Sequence, residues 1–284
     1  MSEILATLTN LFLLTFVMTS MLAMGLSLTT KQIVAPLKNV RLVLLVLLAN
    51  FVLVPILGIA LARVFQLETD LATGLILVSV VAGAPFLPKL AEAAKGDAAL
   101  SVGLMVLLMV VTIIYAPIVL PLILSGVSVS AWAIAKPLIF MMLIPLAIGL
   151  LVKARYPQTA EHLQPTFGQV SSFSLILMFV LSLAVNWSSL VGAFGTKSFI
   201  AAIIFIAIAF PVAYFMGGSN SGTRSVMGLG TAQRNLGAAM AIASANFASQ
   251  PNVIVMIIVV AVIGLILLMG TAGELGRRAE KAEA

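Results

Sequence analysis

Again and again along this chain an apolar run passes with almost no charge in it, and any fold must give those runs somewhere to go. A run of 18 or more such residues, wound as a helix, is long enough to cross about 30 Å of hydrocarbon. Read between polar breaks, the runs fall at roughly 4–28, 41–65, 70–94, 98–124, 134–153, 167–187, 197–217, 225–247 and 252–272. Short connections join them and no soluble insertion interrupts them, so residues 1–284 read as a single transmembrane domain. Composition points the same way: 62% of residues are apolar and 8% charged, against about 25% charged in a soluble globular domain. The expected fold class is an all-α integral membrane protein with nine transmembrane helices.

The charges orient the runs. A net charge of +6 would suit nucleic acid in a soluble protein, but here the basic residues sit between apolar spans, and no nucleic-acid partner is expected. With the N-terminus outside, the inner connections hold Lys31, Lys38, Arg41, Lys95, Lys153, Arg155, Arg224, Arg277, Arg278 and Lys281, and the outer ones only Arg63, Lys136 and Lys197. That bias is the positive-inside rule for an N-out, C-in, multi-pass protein of a bacterial inner membrane. Cysteine is absent, which excludes disulfides and thiolate metal sites. The start, Met1-Ser2-Glu3, lacks a basic n-region, so the first run reads as a retained span.

Two spans are interrupted. The third contains Gly83-Ala84-Pro85-Phe86-Leu87-Pro88-Lys89, where Pro85 and Pro88 remove two backbone donors. The eighth contains Gly228-Leu229-Gly230-Thr231-Ala232-Gln233-Arg234-Asn235, where Gly228 and Gly230 permit unwinding just before three large polar side chains. Irregular backbone at membrane depth survives only buried in protein or lining a wet cavity. Pairing spans 1–4 with spans 6–9 places the two breaks in corresponding, oppositely oriented helices, the pattern of two inverted repeats (4+5) around a transporter's binding site.

Two cations fall inside spans, Lys89 and Arg234, and such charges are seldom idle there. Arg234 can grip a carboxylate or sulfonate with two parallel hydrogen bonds, or it can be tied to carbonyls freed by the break. Lys89 can serve an anion or pair with Glu92 three residues on. Asn50, Ser101, Gln233 and Asn235 are candidate ligands whose plainer role is hydrogen bonding between helices. No carboxylate lies deep in a span, and His162 falls in an inner loop, so neither a proton relay nor a Ser/His/Asp or metal-hydrolase set is available; an enzyme is not expected.

Four segments in register carry a resemblance: Met24-Gly25-Leu26-Ser27-Leu28-Thr29, Leu71-Ala72-Thr73-Gly74-Leu75-Ile76-Leu77-Val78, Ala94-Lys95-Gly96-Asp97-Ala98-Ala99-Leu100-Ser101-Val102 and Gln233-Arg234-Asn235-Leu236-Gly237-Ala238-Ala239. Together they resemble the bile acid:sodium symporter family over nearly the whole chain. The resemblance implies crossing broken helices 3 and 8, a core domain (approximately 41–124 and 197–272) and a panel domain (approximately 4–28 and 134–187), with the first of the ten helices common in the family missing. It also implies sodium ligands, and these are degenerate. Asn50 stands at a glutamine ligand, Ser101 at a serine ligand and Asn235 at the crossover asparagine. A Ser-Asn pair is replaced by Leu87-Pro88, a threonine by Met105, a glutamate by Gly230 and a glutamine by Arg234. What remains of a sodium site lies near Asn50, Ser101 and Gln233. A hard cation needs several oxygen ligands, so Arg234, with Lys89, is expected to stand where sodium would be, with the positive ends of half-helices aimed at the same place. No other cofactor is implied. The expected function is secondary transport of a small or amphipathic organic anion by alternating access, not strictly sodium-coupled. A sodium:organic anion symporter is the alternative, and a membrane sensor or channel-like protein is the reading from another class.

Overall fold

The computed structural model describes residues 2–29, 31, 34, 38–124, 131–193 and 196–283. The described chain is helical: α1 (Ser2–Ser27), α2 (Val40–Val64), α3 (Thr69–Val80), α4 (Leu87–Ala93), α5 (Ala98–Ile123), α6 (Ala131–Arg155), α7 (Pro157–Val185), α8 (Trp187–Ala193), α9 (Ser198–Met216), α10 (Ser221–Ala232), α11 (Leu236–Asn246) and α12 (Pro251–Glu283). Seven of these (α1, α2, α5, α6, α7, α9 and α12) are long and apolar enough to cross a membrane. Two pairs of shorter helices, α3 with α4 and α10 with α11, take up the third and eighth apolar runs.

Local sequence sets where helices bend and stop. The turns Ala49–Leu53 in α2 and Ile139–Leu143 in α6 are π-helical, and each lies just ahead of a proline, Pro55 and Pro145. A proline ring crowds the carbonyl four residues back, and a widened turn relieves that crowding. Pro55 also has no N–H for the carbonyl of Phe51, which accepts instead from the Tyr115 hydroxyl of α5. The first break runs from Val81, which is extended, through Gly83 at φ +79° to Pro85, and Pro88 sits in the first turn of α4, where a missing N–H costs nothing.

The second break is displaced from its expected place. Gly228 and Gly230 lie inside α10, which continues to Ala232, and the helix opens only at Gln233–Asn235. Both glycines serve close packing. A Cβ on Gly228 would meet the Phe210 ring at 2.8 Å, and one on Gly230 would meet Leu87 Cδ2 at 2.8 Å. A second correction concerns α7, which starts at Pro157, well before the expected boundary of 167; His162 therefore stands exposed on a helix rather than in a loop.

Helices α1, α6 and α7 pack side by side, with Gly25 and Gly149 letting α1 and α6 touch backbone to backbone. The other long helices gather around the breaks: α12 lies on α3, α9 on α10 and α12, and α2 on α3. At the breaks the half-helices exchange partners, α3 against α11 and α4 against α10, so the two interrupted helices cross. Ile144, Ile148 and Leu151 of α6 and Ile176 and Val180 of α7 point outward, the inside-out pattern of a protein solvated by lipid.

Candidate functional site at the crossing of the broken helices

A helix that stops inside the protein leaves its last carbonyls without partners. At the end of α3 these include Val78 and Ser79, and at the end of α10, Thr231. One side chain answers all three. Arg234 is 2% exposed. Its Nε donates to Val78 O at 3.2 Å, its Nη2 to Ser79 O at 2.7 Å, and its Nη1 to Thr231 O at 3.1 Å and to Asn50 Oδ1 at 2.7 Å. The π-helical turn of α2 holds Asn50, whose Nδ2 donates to Thr231 Oγ1 at 2.8 Å. A guanidinium has five N–H donors, and four of them are committed here. The two-donor fork that would clasp an anion is therefore not free.

The placement also has an electrostatic reason. The guanidinium sits on the carbonyl ends of α3 and α10, where the helix dipoles are negative and a cation is favoured. Asn235 joins the two breaks beside it. Its N–H donates to Val81 O at 3.3 Å, its Nδ2 to Gly83 O at 3.0 Å, and its Oδ1 caps α11 by accepting from Ala238 N–H at 3.0 Å. Thr112 of α5 clips the first break, donating to Ala82 O at 3.1 Å and accepting from Ala82 N–H at 2.9 Å. Sequence reasoning missed Thr112 and Thr231. The signal available was a buried hydroxyl at the depth of a break.

The other candidates separate. Ser101 is buried but donates to Ala98 O in its own helix at 2.7 Å and not to the cluster. Gly230 and Leu87, which stand at two of the expected ligand positions, pack against each other instead. At the crossing itself a sodium ion does not fit: Asn50 Oδ1 and the carbonyls of Val78, Ser79 and Thr231 already accept from a fixed cation, and a leucine side chain occupies the adjoining space.

Next to the crossing lies a cavity of about 730 Å³, within the ordinary range for ligand sites. Its walls are α1 and α7 on one side and the two breaks, α5 and α12 on the other. The lining is mostly apolar. Its polar groups include Gln164, Ser171, Gln233 and Lys89, with the edge of Arg234. Asn50, Ser101 and Asn235 do not reach it. Lys89 is exposed, and it does not pair with Glu92, itself exposed; among the described residues it makes no ion pair.

Comparison with known proteins bears on this arrangement. A model of the sodium bile acid symporter family matches residues 11–193. A protein of Arabidopsis thaliana named as a probable chloroplastic sodium/metabolite cotransporter is 26% identical over 196 residues, 69% of this chain and 46% of that protein. A second Arabidopsis thaliana protein so named is 27% identical over 213 residues, 70% of this chain and 50% of that one. One from Oryza sativa subsp. japonica is 30% identical over 151 residues, 50% of this chain and 34% of the relative. The chain thus spans about half the length, or less, of the curated relatives it matches.

Proposed function

From the premise that the chain belongs to the sodium bile acid symporter family, we propose that it is a secondary transporter that moves an organic anion by alternating access without sodium coupling. The observation that carries this reading is a lysine, Lys89, that makes no ion pair among the described residues and faces a largely apolar cavity beside two crossing broken helices. An apolar cavity with one free cation among the described residues selects a substrate with a single acid group on an apolar body. Gln233, whose amide has no partner among the described residues, is placed to orient the acid. Arg234 is the internal counter-charge: it supplies permanently the positive charge that a bound ion would bring, and it holds the crossing together.

In this proposal the seven long helices and the two broken ones make nine crossings, N-terminus outside and C-terminus inside, the orientation of a bacterial inner-membrane protein. Helices α1, α6 and α7 form the panel, and the remainder form the core. The inverted repeats pair α1 with α7, α2 with α9, α3/α4 with α10/α11, and α5 with α12. The cavity lies between panel and core, where their relative motion would open it to one side and then the other.

Uptake of labelled organic anions into proteoliposomes, with and without a sodium gradient, tests the reading. The expected result is uptake that is unchanged when potassium replaces sodium. Steep, saturable sodium dependence would restore the symporter reading, and the absence of uptake for every anion would remove the transporter reading.

A further inference from the structure

A second cavity, a groove of about 550 Å³, lies between α9 and α12. Its lining changes character along its length. At one end stand Phe210 and Pro211 of α9 with Ile266 and Leu267 of α12; at the other, Tyr214 of α9 meets Glu274 and Arg278 of α12. Both helices are long and apolar enough to cross a membrane, and Tyr214 falls in the last turn of α9. The apolar end therefore lies at hydrocarbon depth and the charged end near a membrane surface, the level at which tyrosine rings collect.

The charges at that end do not cancel. Glu274 accepts from both Arg277 and Arg278, so the three side chains together keep one positive charge. Arg224, in the first turn of α10, adds a second. Its guanidinium carbon lies 4.3 Å from the centre of the Tyr214 ring and 5.6 Å from that of Phe215. Gly217 allows this approach, since a Cβ there would meet Arg224 Cα at 2.6 Å. Arg224 makes no ion pair among the described residues, and its buried Nε has no hydrogen-bond partner among them. A guanidinium stacked on an aromatic ring but lacking an acceptor is prepared for an oxyanion.

We propose that this groove binds an anionic phospholipid as a structural ligand, with its phosphate held by Arg278 and Arg224 beside Tyr214 and an acyl chain lying between α9 and α12. The site is separate from the transport reading and does not depend on it. Two features select the occupant. A basic pocket between membrane helices at the bilayer surface favours an anionic head over a zwitterionic one. The continuous apolar length beyond it accepts a chain, which a soluble phosphate lacks. A second copy of the chain in the same orientation would bring its own Arg224, Arg277 and Arg278 to this end and add positive charge where negative charge is wanted.

Native mass spectrometry of the detergent-solubilised full chain, titrated with phosphatidylglycerol or phosphatidylcholine of matched chains, tests it. The expected result is one phosphatidylglycerol held at least tenfold more tightly than phosphatidylcholine. Arg278→Gln and Arg224→Gln should each remove most of that preference, and a folding failure of one leaves the other. Gly270→Phe tests the groove apart from its charges: a Cβ on Gly270 meets nothing, so the ring fills the space meant for the chain, and the bound lipid should be lost. Lys281→Gln, an exposed cation in the last turn of α12 outside the groove, should change nothing. Equal affinity for the two lipids overturns the proposal. So does a preference that survives Gly270→Phe and both arginine variants, or one lost equally in Lys281→Gln. Displacement of the lipid by soluble glycerol phosphate would make the site a head-group site only, and a mass of two chains abolished by Gly270→Phe would make the groove a protein interface; either result overturns it.

Discussion

Arg234 and Lys89 both fall within apolar runs of the sequence, but their surroundings divide the work between them. Arg234 is enclosed, with four donors committed to the carbonyls of Val78, Ser79 and Thr231 and to Asn50. Lys89 is open to the cavity and makes no ion pair among the described residues. Hydrogen bonds to a charged group are worth about 1.5–3 kcal/mol each, and they are not additive here because they share one guanidinium. Arg234→Ala should therefore lower the stability of the purified protein by at least about 3 kcal/mol, seen as a large drop in melting temperature. Arg234→Lys should recover part of it, since an ammonium keeps the charge but cannot reach in the plane of four acceptors. Lys89→Ala should behave oppositely: an unchanged melting temperature without ligand, and loss of the stabilisation that a transported anion gives the wild type. Equal stabilisation of the wild type and Lys89→Ala would remove Lys89 from the site.

Among elements, the broken helices carry the most constraint. The first break needs Gly83 twice over. Its φ of +79° is costly for any residue with a Cβ, and a Cβ there would run into the backbone of Met109 in α5. Gly83→Ala should thus impair folding more than an alanine in mid-helix would, and the assay is the yield of monodisperse protein alongside Gly270→Ala, where a Cβ meets nothing. The tandem Pro85 and Pro88 made this break legible in the sequence, because a missing N–H is a local property. The second break was harder to place. Gly228 and Gly230 looked like its cause, but they are packing glycines, and α10 runs through them until Gln233. What opens the helix is the chance for Asn235 to cap α11 while bonding to Gly83 O. That second partner lies far away in sequence, so no local pattern could announce it.

For the whole molecule, the loop charges predict its orientation. Reporter fusions after Arg41 and after Lys281 should both report the cytoplasmic side; one outside signal would break the nine-crossing arrangement. The sequence by itself determined that this is a helical membrane protein, that its third and eighth apolar runs are interrupted, and that Lys89 and Arg234 are the charges to explain. All of these follow from hydropathy, proline chemistry and the cost of charge in hydrocarbon, which act on each stretch of chain independently. Which of the two cations has its donors taken up was decided only by the tertiary structure. The choice depends on carbonyls from two helix ends and an asparagine from a third helix meeting at one point. Val78, Ser79 and Asn50 each lie more than a hundred residues from Arg234, and their meeting exists only once the chain has packed.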